Sequence, residues 1–164
     1  MKKVFFICAL VFLFCSCNEG KKGKEIVEKQ SIAFDVKKIP SKLIAGAEAV
    51  AVLKDWTEYN AFVTSYDALY KVKDEEGLSL VIEDLIEKQK LLKDSAYPEM
   101  FNVPQIKSRQ KVFKTYVLKV KGCLEYKIET ITATIEMVKA YNSLTKQFSV
   151  ILKSKVDIDL LLEE

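Results

Sequence analysis

The sequence predicts an all-α protein folded as an antiparallel four-helix bundle, and three observations predict it. Beyond Pro40 the apolar residues recur at three- and four-residue steps, the period of a helix with one buried face. The 5 Gly and 3 Pro among 164 residues are too few for a loop-rich β-sandwich or a Gly-rich phosphate-binding fold. Cap and breaker residues at Asp74, Pro98, Pro104 and Gly122 divide the pattern into segments of helical length. A chain of 164 residues suits one domain of ordinary size.

Ser41 is placed to cap a first helix that carries Ala49, Leu53, Trp56, Val63, Tyr66 and Tyr70 and runs to about Val72. Asp74, Glu75 and Glu76 then supply acceptors and negative charge for the start of a second. Its stripe is Leu78, Val81, Leu85, Gln89 and Leu92, widened by Ile82 and Ile86. It ends near Ala96, because Tyr97 precedes Pro98 and is pushed out of helical geometry. After a loop, Pro104 suits the first turn of a third helix.

From Gln105 to about Lys155 the apolar steps continue. One unbroken helix would be roughly 75 Å long against roughly 30 Å for the second, leaving residues after about 125 overhanging with a bare apolar stripe. Folding back recovers that burial. Lys119-Val120-Lys121-Gly122 resembles a helix end, with cations in the last turn and Gly just beyond, and Thr130 or Thr132 can start a fourth helix. The alternative is three helices with a very long third, paired in a dimer. The stripe stays in phase across Gly122, and an interior Gly costs only ~1 kcal/mol. Asp157 to Glu164 is expected to fray.

The amino terminus reads as an address. Lys2 and Lys3 precede a run from Val4 to Cys15 that is almost wholly apolar, the n- and h-regions of a secretory signal. As a helix that run measures roughly 18 Å, short of a ~30 Å hydrocarbon core. Phe14-Cys15-Ser16-Cys17 resembles the lipobox of bacterial lipoproteins, with Phe14 and Ser16 fitting the looser form found in some Gram-negative groups. The resemblance covers residues 1–17 and implies cleavage before Cys17 and acylation of its thiol. Several acyl chains at ~0.8 kcal/mol per buried CH₂ hold a protein on a bilayer essentially permanently. Asn18-Glu19-Gly20-Lys21-Lys22 lacks the Asp that resembles an inner-membrane retention signal, so the resemblance implies the periplasmic face of the outer membrane. The expected organisation is a signal over 1–16, acylated Cys17 and a tether to residue 40, a bundle over 41–156 and a frayed end over 157–164. Within the tether, Ile32, Phe34 and Val36 alternate and suit a short extended piece lying on the domain.

Composition narrows function more by exclusion than by assignment. The absence of His removes the commonest general base and neutral metal ligand. Without Lys2 and Lys3, 24 basic residues face 23 acidic ones, so bulk charge makes no case for a nucleic-acid partner. Cys8 and Cys15 leave with the signal and Cys17 is modified, so Cys123 stands alone as a small buried apolar residue. No Gly-rich phosphate loop, haem-attachment motif or paired-Cys spacing is present, and neither an enzyme nor a cofactor or metal site is expected.

Two constellations stand above this background. Residues 105–127 hold Lys107, Arg109, Lys111, Lys114, Lys119, Lys121 and Lys127 against Glu125 alone, whereas residues 74–94 hold seven acids against three lysines. Adjacent helices with complementary charge account for this. Yet Lys107, Arg109 and Lys111 sit at a helix amino terminus, where they could bind a phosphate, a carboxylate or a lipid headgroup. Arg109, the only Arg, suits one specific contact, most simply an internal one to Glu83 or Glu87. The aromatic run Trp56, Tyr59, Phe62, Tyr66 and Tyr70 reads as core filling. The mature domain is similar to small helical envelope lipoproteins, which implies a structural or interaction module with an envelope protein as partner, and the membrane as a second partner through Cys17.

Overall fold

The computed structural model describes residues 34–162, with side chains as far as Ser154. Residues 1–33, on which the expected signal, the acylated Cys17 and most of the expected tether fall, lie outside the described residues. What is described is all-helical: α1 (Ala47–Leu53), α2 (Thr57–Ala68), α3 (Glu75–Asp94), α4 (Pro104–Glu125) and α5 (Ile131–Leu162), with short 3₁₀ turns at Val36–Lys38, Leu69–Lys71 and Glu99–Phe101. Along the chain, α2 packs on α3, α3 on α4 and α4 on α5, while α1 lies against α5.

The expected first helix from Ser41 to Val72 is corrected in two places. Ser41 caps nothing, because residues 40–46 form an extended strap tied down by distant side chains. The Asn142 amide accepts from the Leu43 N–H at 2.7 Å and donates to the Ser41 carbonyl at 3.0 Å. Tyr70 donates to the Pro40 carbonyl at 2.8 Å, and Lys42 pairs with Asp67. Backbone groups that a helix would use internally are thus taken by the side chains beneath them. The second break lies at Lys54–Trp56. Trp56 adopts an extended backbone (φ −92°, ψ 92°), and its ring lies buried against Tyr97, with the indole N–H donating to Ser95 Oγ at 2.8 Å.

The second helix follows its sequence closely. Asp74 accepts from the Gly77 N–H at 2.8 Å as its N-cap, and the buried stripe is Leu78, Ile82, Leu85, Gln89 and Leu92. Pro104 occupies the first turn of α4, and Phe101 in the preceding 3₁₀ turn is fully buried against Phe148. Phe34 and Ile39 are buried as well, and the Phe34 N–H donates to the Lys73 carbonyl at 3.1 Å, so the chain at Phe34 lies on the domain. The expected extended piece does not continue to Val36, which opens a 3₁₀ turn, and Ile32 lies outside the described residues.

The chain turns between α4 and α5, so the very long third helix does not form, but the turn is not at Gly122. α4 runs through Gly122 to Glu125, and the left-handed position is Lys127 at φ 53°. The Lys127 N–H donates to Leu124 O at 3.2 Å and the Ile128 N–H to Cys123 O at 3.0 Å, the hydrogen-bond pattern that closes helices whose C′ residue is left-handed. α5 starts at Ile131, within the expected Thr130–Thr132 window, but neither threonine side chain caps it. The Glu129 carboxylate does, accepting from the Ile131 and Thr132 N–H groups, while Thr130 Oγ1 donates to Glu75 across to α3. α5 remains helical to Leu162, past the fraying point expected at Asp157.

The aromatic run of α2 is core. Phe62 and Tyr66 are fully buried and meet rings from α4 and α5: Phe62 and Phe113 edge-on at 5.2 Å between centroids, Tyr66 and Tyr141 stacked at 3.7 Å with planes 7° apart. Burial holds the Tyr59 and Tyr66 hydroxyls far above their ordinary range and pushes Tyr141 up to about 12. Cys123 is a buried free thiol.

Candidate interaction surface

The helices that carry segregated charge, α3 and α4, are neighbours, as their opposite signs suggested. Their charges do not pair across the seam among the described residues. Lys88 reaches Asp84 and Glu87 on its own helix at 3.4 and 3.3 Å, and Lys121 reaches Glu125 on its own helix at 3.8 Å. Such exposed contacts contribute about 0–1 kcal/mol each. The stripes explain the arrangement. Leu78, Ile82 and Leu85 turn one side of α3 inward, which leaves Glu76, Glu83, Glu87 and Asp94 exposed on the other. On α4, Ile106, Phe113, Val117 and Val120 face inward and Lys107, Arg109, Lys111 and Lys119 are exposed.

Arg109 is therefore not the internal partner of Glu83 or Glu87 that its solitary occurrence suggested: it is exposed and makes no ion pair among the described residues. Lys107 rests over the Tyr97 ring, 5.2 Å from its centroid, and Lys111 is exposed one turn on. Lys107 and Lys111 share a side of α4. Arg109, two residues from each at about 100° per residue, points roughly the opposite way. The amino terminus of α4 has no side-chain cap, and Pro104 has no N–H to offer. The three cations thus ring the helix end without converging on one point beside it.

The outward faces also carry large apolar side chains among these charges. Leu80 and Leu91 on α3 are 67% and 50% exposed, and Val112 and Leu118 on α4 are 40% and 45% exposed. None of the four belongs to the core or to the partly buried hydrophobic residues packed against it. The signal for them lies in helical angle: Leu80 falls opposite the buried stripe of α3 and Leu118 well to one side of the stripe of α4.

A hollow of about 400 Å³ opens elsewhere, between the end of α1 and the α3–α4 loop, lined by Val52, Trp56, Glu58, Tyr97 and Pro98 among others. It includes none of Lys107, Arg109 and Lys111. Among the described residues no three His, Cys, Asp or Glu side chains are grouped to hold a metal, and no helix is long and apolar enough to cross a membrane. Compared with known protein families, curated proteins and solved structures, the chain matches none.

Proposed function

We propose that this protein is a lipid-anchored interaction module of the cell envelope, held on the membrane through acylated Cys17. In this reading α2 to α5 form an antiparallel four-helix bundle that presents the outward faces of α3 and α4 to a partner. One observation carries the interaction reading: exposed leucines on both helices, set among charges that are mainly acidic on α3 and mainly basic on α4 and make no ion pair across the seam among the described residues. The anchor is supported by Lys2, Lys3, the apolar run and the Ser16-Cys17 step.

Two measurements test this. Replacing Cys17 by Ser should abolish metabolic labelling with a fatty acid and release the protein from the membrane fraction; a labelled variant refutes the anchor. A photo-crosslinking residue at Thr115, exposed on α4, should give a discrete adduct in intact cells. Absence of any adduct there, with adducts at sites outside α3 and α4, refutes the interaction face.

A second reading, binding of a phosphate or carboxylate ligand at the start of α4, keeps only Arg109 of the three expected cations, because Lys107 and Lys111 point the other way. It is favoured by one observation, that Arg109 is exposed without an ion pair among the described residues. Under it, phosphate should raise the melting temperature and Arg109→Ala should remove the shift. No shift with the parent chain ends that reading.

A further inference from the structure

We infer that the partner of the α3–α4 face is a second copy of this chain, in a two-fold dimer whose axis runs along the groove between the two helices. The inference rests on the interaction reading above and names its occupant. A rotation about an axis parallel to the helices lays α3 of each copy on α4 of the other. The acidic helix then meets the basic one twice, by symmetry. A rotation about an axis across the helices would instead set acid on acid and base on base, which like-charge repulsion disfavours.

The proposed pairing also sets heights along the helices: it takes α3 and α4 as antiparallel neighbours, with the C-terminal residue of α3, Asp94, level with the first residue of α4, Pro104. Leu80 and Leu118 each lie 14 residues in from those ends, about 21 Å along the axis. Glu87 and Lys111 each lie seven residues in, about 10 Å. Rotation about an axis parallel to the helices preserves height, so on this register Leu80 stands at the level of the partner's Leu118 and Glu87 at the level of the partner's Lys111. Apolar meets apolar and acid meets base at the same two levels. All four side chains are substantially exposed in the single chain, and Glu87 has only the weak contact to Lys88 to give up. A foreign partner would need to reproduce both charge signs and both apolar levels; a second copy supplies them without further requirement.

The test is sedimentation equilibrium of the full-length chain in density-matched non-ionic detergent, for the parent, Glu87→Lys, Lys111→Glu and the double reversal. The parent should sediment as a dimer. Each single reversal sets like charges together at two symmetric contacts and should weaken association on the order of tenfold. The double reversal restores opposite charges and should recover most of the loss. Circular dichroism confirms that each variant is helical, as expected for exposed positions. A parent that is monomeric at every concentration overturns the inference, and so do single reversals that leave the dimer intact or a double reversal that rescues nothing. The Thr115 crosslink separates this failure from that of the interaction reading. An adduct of twice the chain mass supports self-pairing, whereas a heterologous adduct on a monomeric chain leaves an interaction module and removes the dimer. No adduct on a monomeric chain removes both.

Discussion

The seam joining α2, α4 and α5 and the outward faces of α3 and α4 both hold large apolar side chains, but to opposite ends. In the seam, Phe62, Tyr66, Phe113 and Tyr141 are buried to 2% exposure or less and pack ring against ring. On the outward faces Leu80, Leu91 and Leu118 stand about half exposed or more, with acids predominating on one helix and bases on the other. Burial explains the first set completely and the second not at all. Stability is therefore concentrated in the seam, and the outward faces can be altered while the fold persists.

The largest expected effect tests that division. Phe113→Ala removes a ring that meets Phe62, Tyr66 and Tyr141 and should destabilise the protein by about 3–5 kcal/mol in urea denaturation. Leu118→Ala on the same helix should change the stability of the single chain by no more than about 0.5 kcal/mol. Comparable losses from the two would mean that the outward face is part of the core and that the comparison is wrong.

Alkali should probe the seam alone. Burial keeps the Tyr59, Tyr66 and Tyr141 hydroxyls protonated well beyond the unfolded value near 10, with Tyr141 at about 12. Above pH ~10 the unfolded chain sheds protons that the folded chain retains, so the contribution of Tyr141 is present below that pH and is lost as pH rises through about 12, while those of Tyr59 and Tyr66 go on being lost at higher pH. The urea midpoint should fall over that window, and tyrosinate absorbance should appear together with loss of helix. Ionisation of these rings near pH ~10 with the helices intact would show an open seam.

These contrasts also show what could be read from residues alone. α3 was legible in full because its cap, its stripe and its terminator all lie within one stretch from Asp74 to Pro98. Where a distant group decides the backbone, local pattern fails. Asn142 holds Ser41 and Leu43 extended from 101 and 99 residues away, and the burial of Trp56 against Tyr97 breaks the first helix where propensity would continue it. Glu129 caps α5 from one position before the threonine that looked better suited. The charge segregation of α3 and α4 was legible as a count, but whether the charges pair inside the chain depends on which way each side chain points. The exposed leucines were legible from helical angle, had that angle been followed beyond the core stripe.

The smallest effects belong to the helix end that the sequence misplaced, and they separate its two candidate positions. Were Gly122 the left-handed residue closing α4, Ala there would be strained and destabilising. It lies instead inside the helix on the outward side, and a methyl group added to it meets nothing within 4 Å. Gly122→Ala should therefore stabilise the protein by about 0.5–1 kcal/mol, through helix propensity and a less free unfolded chain. At Lys127, with φ 53°, the sign is reversed: the β-carbon crowds its own backbone, and glycine relieves that at the expense of a freer unfolded chain. Lys127→Gly should also stabilise, by about 0.5–1 kcal/mol. Together the two changes move one glycine five positions along the chain and should raise the thermal midpoint nearly additively, since each acts on its own backbone. Stabilisation by the first change with destabilisation by the second would place the left-handed residue elsewhere in the 126–130 turn. Destabilisation by the first would return the helix end to where the sequence pattern put it.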